Sequence, residues 1–302
     1  MQYRTHHHRL HRPQQRFDDS LYQRAMIELD EVLYDLYGHD WRHVRVERLS
    51  TAIDEMKQRT AQSESHRRSA QLIALLLLQT PRAARAQDAM DRRHGGSYHH
   101  RQKRLYELID FNDTFVDIVL SLRHEQRAEF HHKIYALMHD FCVRARTHVF
   151  SPEQFDAITH GLSRETAVYL GAQKEGFDVH MTNRVADGLG VDMQIRDRDS
   201  GRYINIDCKT TKAYLRRVEE LRREERLDER EVGVALTRGY IRVSNGRNDE
   251  QVEVVLFSVV SELFGGIQDF EFATSDVLAL KLREAINVYG RQGDGFYQYK
   301  EE

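Results

Sequence analysis

Tyr203-Ile204-Asn205-Ile206-Asp207-Cys208-Lys209-Thr210-Thr211 is the stretch whose reading decides the fold. Apolar and polar residues alternate along it, the pattern of a half-buried strand. Side chains two apart in a strand share a face. Ile204, Ile206 and Cys208 therefore form a core face, and Asn205, Asp207 and Lys209 line the other. An acid and an ammonium stand side by side on one surface of one strand.

Upstream, Val191-Asp192-Met193-Gln194-Ile195-Arg196 alternates in the same way. Val191, Met193 and Ile195 point to the core; Asp192, Gln194 and Arg196 point away. Asp197-Arg198-Asp199-Ser200-Gly201 between the two runs is a turn signal. A hairpin centred on Asp199-Ser200 pairs residues whose numbers sum to 399, Asp192 and Asp207 among them. A three-residue loop with a bulge at Gly201 would shift that register by one. Directly opposed side chains lie roughly 5 Å apart, and like charges there destabilise the sheet. A divalent cation between the carboxylates turns repulsion into attraction. Mg²⁺ suits such a place, being hard and taking oxygen ligands; Mn²⁺ is the expected substitute.

Two further residues join this pair. The chain has 37 Arg and only 8 Lys, so a Lys at 209 points to a need for a compact ammonium. It would orient an attacking water or stabilise charge developing on a phosphate. Ser151 to Glu175 reads as a helix, with Ser151 as N-cap and Pro152 in the first turn. Its core-facing stripe runs Ile158, Leu162, Glu165, Tyr169, Ala172. A carboxylate in that row costs on the order of several kcal/mol unless it is paired or bound to metal.

The order helix-Glu, strand, strand-Asp, strand-Asp-x-Lys, helix resembles the PD-(D/E)XK nuclease superfamily over about residues 151–260. Gly190-Val191-Asp192 and Asp207-Cys208-Lys209-Thr210-Thr211 are similar to its motif segments, with Val191 in place of the nominal Pro. The resemblance implies an α+β protein: an all-helical N-terminal region followed by a restriction-endonuclease-like α/β domain, its central mixed sheet flanked by helices. It implies that Asp192 and Asp207 bind metal, that Lys209 assists the nucleophile and that Glu165 supports the metal shell. The expected activity is that of a Mg²⁺-dependent endonuclease acting on DNA, the substrate of most of the superfamily. Gln194, Thr210 and Thr211 become candidate substrate contacts. Members that cut both strands often pair up, so a homodimer is one expectation for the helical region; DNA recognition and binding of another protein are the others. The alternative is a non-catalytic nucleic-acid-binding or assembly module on a degenerate nuclease fold.

A length of 302 residues allows one or two domains. The expected division is a polar, His-rich disordered arm over 1–16, a helical domain over 17–150 and the catalytic domain over 151–302. Residues 1–150 carry 24 Lys and Arg against 20 Asp and Glu; residues 151–302 carry 21 against 28. The first half is mildly basic, which permits contact with nucleic acid without requiring it. Arg101, Lys103 and Arg104 form a small basic cluster that is a candidate phosphate contact. Cys142 and Cys208 form no Cys-x-x-Cys, which argues against a zinc ribbon or disulfide framework. The longest apolar run, Leu72 to Leu78, is too short to span a bilayer and reads as a buried helix. With no signal-peptide core at the start, a cytoplasmic protein is expected.

The periodicity predicts helices over 18–37, 41–61, 63–80 and 81–93, with Pro81 as a boundary, a break at Gly95-Gly96-Ser97, and helices over 100–122 and 123–150. Beyond the motif strand, 212–230 reads as a charged helix burying Leu215, Val218 and Leu221. Its Arg216, Arg217, Arg222, Arg223 and Arg226 alternate with Glu, the signature of a solvated, self-paired face. Strands are predicted over 232–237 and 252–259, and a last helix over 275–289.

Overall fold

The computed structural model describes residues 19–43, 46–91, 98–247 and 250–299. The arm expected over 1–16 and the break at Gly95-Gly96-Ser97 lie outside them. The N-terminal region is helical throughout: α1 (Asp19–Tyr37), α2 (Leu49–Ala61), α3 (Ser65–Asp91), α4 (Tyr98–Ser121) and α5 (His124–Arg144). Then come α6 (Pro152–Lys174), β1 (Asp178–Met181), α7 (Arg184–Gly188), β2 (Met193–Arg196), β3 (Tyr203–Thr210), α8 (Thr211–Arg223) and α9 (Glu229–Arg238). The chain continues through β4 (Tyr240–Arg247), β5 (Glu250–Val259), β6 (Ile267–Gln268), β7 (Glu271–Phe272) and α10 (Asp276–Tyr289).

The central sheet is mixed, five-stranded and ordered β1-β2-β3-β5-β4. β1, β2 and β3 form an antiparallel meander. β5 then runs parallel to β3 on its other side, and β4 closes the edge antiparallel to β5. The β2–β3 ladder has the expected register: Met193 faces Ile206, Gln194 faces Asn205, Ile195 faces Ile204 and Arg196 faces Tyr203. The fold is thus mixed α+β, a mixed sheet flanked by helices.

One face of the sheet, with Met193, Ile195, Ile204 and Ile206, packs against Ala167, Val168 and Ala172 of α6 and against α10. The other face, with Ile241, Val243, Val254 and Leu256, is covered by Tyr214, Val218 and Leu221 of α8 and Ala235 of α9. The helical region has a core of its own, which takes Phe155 and Leu162 from the first half of α6. α6 therefore belongs to two cores, and Glu165 falls on the step between them. A second joint is the β6–β7 hairpin. Its turn residues Asp269 and Phe270 both have left-handed backbone, φ 49° and 69°. That conformation is unfavourable for a bulky side chain, yet it drives Phe270, 1 % exposed, between Phe115 and Phe130 of the helical core.

Four expectations are corrected. Pro81 lies inside α3 and bounds nothing. A mid-helix Pro costs about 3 kcal/mol, but Leu72 to Leu78 are all buried, and each such side chain contributes about 1.5–3 kcal/mol. Packing of that run outweighs the lost hydrogen bond. The expected helix over 41–61 is broken: 3₁₀ turns (Gly38–His43 and Val46–Arg48) precede α2.

The expected strand over 232–237 is helix α9. Asp228 caps it by accepting from the Glu231 amide at 2.7 Å, and the Glu231 carboxylate returns the bond to the Asp228 amide at 2.9 Å. Gly239 ends it in left-handed backbone, φ 73°. Such a capping box with a C-terminal Gly decides a short apolar run that periodicity alone leaves ambiguous. The strand comes next instead, as β4. Finally, the charged helix stops at Arg223, and its buried stripe is Tyr214, Val218, Leu221; Leu215 is 46 % exposed.

Candidate active site

Glu165, Asp187 and Asp192 line one cavity of about 200 Å³. Its other walls are Asn112, Asp113, Val116 and Asp117 of α4, Met181 at the end of β1 with Thr182 and Asn183 after it, and Tyr299. The cavity therefore lies on the seam between the helical region and the sheet, where α6 passes from one core to the other.

Local sequence explains each placement. Ser151 caps α6 as expected: its hydroxyl accepts from the Gln154 amide, and Gln154 answers at the Ser151 amide. This sets the phase that turns Glu165 into the seam. Asn183 caps α7, accepting from the amides of Val185 and Ala186, and so fixes Asp187 one turn later. Gly190 then turns the chain back with φ 80°; a Cβ there would stand 2.9 Å from the Asn245 amide nitrogen. The left-handed backbone is what favours glycine there, while the Asn245 side-chain tip would only have to shift. Val191 packs into the α8 side of the sheet, not the α6 side of Met193 and Ile195 where the alternation predicts it, because β2 begins only at Met193; Asp192 follows.

Just beyond the β2 ladder the Asp192 amide donates to the Ile206 carbonyl at 2.9 Å. The Asp192 carboxylate accepts from the Cys208 amide at 2.6 Å. Asp207, 5 % exposed, forms an ion pair with Lys209 from the same face of β3. Each of the two acids is thus directed to a partner of its own. Among the described residues no three acid, His or Cys side chains are already gathered as a metal centre.

The electrostatics are unusual for a solvated hairpin. Burial, then the charges of Asp192 and Asp187, push Glu165 well above the usual carboxylate range. Burial and Asp192 push Asp187 up to about 7. Burial, then Asp192, push Asp207 up to about 7 against the pull of Lys209. Asp192 is raised by burial, although Lys209 and the Cys208 amide oppose the rise. For Lys209 burial works against the charge, but Asp192 and Asp207 overcome it and hold the ammonium protonated. Burial beside Asp192 and Glu165 pushes the Cys208 thiol far up, so it is a packing residue and not a nucleophile. Among the described residues Glu165, Asp187, Asp192 and Asp207 all feel the Lys209 ammonium, and Asp113 adds a further negative charge beside Glu165. In charge and in donor chemistry, all hard oxygen, the set fits a divalent cation of the Mg²⁺ kind.

Of the predicted site residues only Glu165 and Asp192 line the cavity; Asp207 and Lys209, paired with each other, are not in its wall, and the remaining candidates are placed elsewhere. Gln194 is buried and donates to Asn205 at 2.8 Å and to the Gly295 carbonyl at 3.1 Å; it is not in the cavity wall. Thr210 is the N-cap of α8, accepting from the Ala213 amide at 3.1 Å. Thr211 begins α8 and is exposed. Arg101, Lys103 and Arg104 fall in the first turns of α4, where the side chains lie outside the described residues. Asp187 is the functional candidate that sequence reasoning misses. It sits on a helix of five residues, too short for periodicity to reveal. The available signal was a second acid five residues before Asp192.

Comparison with family models, with curated proteins and with solved structures gives no match. Among the described residues no helix is long and apolar enough to cross a membrane.

Proposed function

We propose that the chain is a divalent-cation-dependent nuclease, hydrolysing phosphodiester bonds in DNA on a restriction-endonuclease-like domain of the PD-(D/E)XK superfamily. One observation carries this reading: half-buried Glu165, Asp187 and Asp192 and buried Asp207 crowd near the Lys209 ammonium, and burial raises all four carboxyls. Buried like charges cost stability and are kept where they bind something. The element order supports it too: Glu165 on α6, Asp192 just before β2, and Asp207 and Lys209 on β3 follow the order the resemblance implies, with the short α7 added between β1 and β2. The reading puts the protein in the cytoplasm with its substrate.

In this mechanism the oxygen of a water attacks phosphorus in line with the bond to the leaving sugar oxygen. That P–O bond breaks, leaving a phosphomonoester on one side and a hydroxyl on the other. Asp192, Asp207 and Glu165 would hold Mg²⁺ or Mn²⁺, which supplies Lewis acidity and a more acidic water when bound. Lys209, kept protonated, stabilises the charge that grows on the non-bridging oxygens; as a cation it is no general base. A cavity carboxylate pushed up to about 7, as Asp187 is, is matched to taking the water's proton near neutral pH.

A second reading has one observation in its favour. Asp207 already has Lys209, Asp192 already has the Cys208 amide, and the acids form no ready-made metal centre. That suits a non-catalytic nucleic-acid-binding module on the same fold. Titrating Mg²⁺ and Mn²⁺ against DNA, with Asp207→Ala as control, separates the two. Metal-dependent cleavage lost in the variant supports the nuclease; binding without cleavage at any metal concentration supports the module.

A further inference from the structure

The walls of the acid cavity are not held equally. α4 is anchored in the helical core by Phe111, Phe115 and Ile118, and Arg184 of α7 ties it to the sheet side, 3.2 Å from Asp110. Tyr299 is the exception. It arrives on residues 290–299, which leave α10 and run along β3 and β2 toward the cavity. Arg291 and Tyr203 exchange two backbone hydrogen bonds of 2.9 Å. A 3₁₀ turn (Asp294–Tyr297) then brings the Gly295 carbonyl to Gln194 at 3.1 Å. Tyr299 comes last, in the wall that Asp192, two residues before Gln194, also lines.

This segment is held by little. Within 290–299 only Phe296 is buried, and it belongs to none of the three apolar cores. Its socket is made of side chains with polar ends: the His180 ring centre at 4.8 Å, the Arg196 guanidinium at 5.6 Å and the Tyr203 ring centre at 6.0 Å. Water can replace the bonds such a floor loses, so parting from it costs less than parting two core faces. Gly295 sets how closely the segment lies. A Cβ there would collide with the hydroxyl of Tyr203, a residue itself buried. The space enclosed, about 200 Å³, is below the roughly 300–1,000 Å³ of pockets that take drug-sized ligands. A site for a phosphodiester must widen before use.

We propose that residues 290–299 are a strap that keeps the acid site shut: release of Phe296 from its socket withdraws Tyr299 and opens the cavity to the phosphodiester. The proposal rests on the nuclease reading above and adds its regulation. Release also uncovers Gln194, which the sequence marks as a substrate contact.

The test uses the full chain, as wild type and as Phe296→Ala and Gly295→Ala, each checked for folding by its melting curve. Amide hydrogen exchange over 291–299 should rise at least about ten-fold in both variants while β2 and β3 stay protected. Mg²⁺-dependent cleavage of a DNA oligonucleotide should rise with it, by about ten-fold, because the open fraction sets the rate. In the wild type the same segment should already exchange at least about ten-fold faster than β3. Exchange at the β3 rate, or no change in the folded variants, overturns the strap. Faster exchange with an equal or lower cleavage rate shows that the segment is no gate; it overturns the proposal and leaves the nuclease reading standing. No cleavage by wild type or variants, with exchange raised, overturns the nuclease reading and the regulation built on it.

Discussion

The cavity and the surface of α8 are both dense in charge, and they use it in opposite ways. On α8, Arg222 lies 2.8 Å from Glu219 and 3.2 Å from Glu229, and Arg223 lies 2.9 Å from Glu219. Arg216 and Arg217 reach Glu220, and Arg226 reaches Glu224 at 3.1 Å. Every arginine named has a local acid, and the Arg222 and Arg223 bonds hold Glu219 down at about 2. At the cavity the count runs the other way. Among the described residues Asp113, Asp117, Glu165, Asp187 and Asp192 line it with no Lys or Arg in the wall, and Asp207 pairs with Lys209 outside the wall. Glu165, Asp187, Asp192 and Asp207 are all held above their ordinary range. Water screens the first set; in the second Asp207 is buried and Glu165, Asp187 and Asp192 are half-buried. The difference teaches that charge content alone says little. Unbalanced charge kept out of water marks the place where a ligand is expected.

The strongest way to break this comparison is to remove one charge at a time from the candidate site and measure cleavage. Asp207→Asn is expected to lower the rate by about 10³-fold or more, and Lys209→Ala by about 10²–10³-fold, the usual scale for losing a group that stabilises the transition state. Circular dichroism should show both variants folded. Full activity in folded Asp207→Asn removes the nuclease reading.

The next effect is on stability against pH. Asp187 and Asp207 sit near 7 in the folded chain and near 4 when unfolded. Between those values the folded state binds more protons, so folding stability is greatest below about pH 4 for these groups and is lost as pH rises through about 7. The combined loss is on the order of a few kcal/mol. Urea titrations across that window, without divalent ions, should show it, and Asp187→Asn should flatten the slope and stabilise the chain above pH 7. A stability that climbs through the same window in the wild type but not in Asp187→Asn would show the carboxyls to be paired, not strained.

How far the sequence discloses this site depends on element length. The β2–β3 register was legible because two alternating runs flank a turn whose centre is fixed by Asp197 to Gly201. Glu165 was legible because Ser151 and Pro152 set the phase of a long helix. Asp187 was not, since α7 makes little more than one turn. α9 was misread because Val232 to Thr237 is apolar enough for either element, and its capping bonds lie at Asp228 and Glu231, outside the run. The α4 wall was hidden for a different reason: which helix lies over the sheet is decided by tertiary packing, through Arg184 and Phe270, and no local pattern encodes it.

Adding Mg²⁺ at neutral pH sharpens the contrast more gently. A cation that binds the folded chain alone stabilises it by about 2.7 kcal/mol at a hundred times its Kd. The melting temperature of the wild type should rise with Mg²⁺, most clearly above pH 7, where the carboxyls are ionised. Asp192→Asn should remove most of that rise. An equal rise in the variant would place the cation elsewhere.

The smallest expected effect belongs to α8. Replacing Arg216 or Arg223 by Gln removes one member of an exposed pair and leaves the helix stripe of Tyr214, Val218 and Leu221 untouched. Exposed pairs of this kind gain little, because water already solvates both ends and salt screens what remains. Melting temperature and cleavage rate should both stay within the range of an ordinary surface substitution. If DNA affinity instead falls sharply and with a reduced salt dependence, the arginines leave their glutamates for phosphate when DNA arrives. α8 would then be part of the binding surface, and its self-pairing a property of the free protein alone.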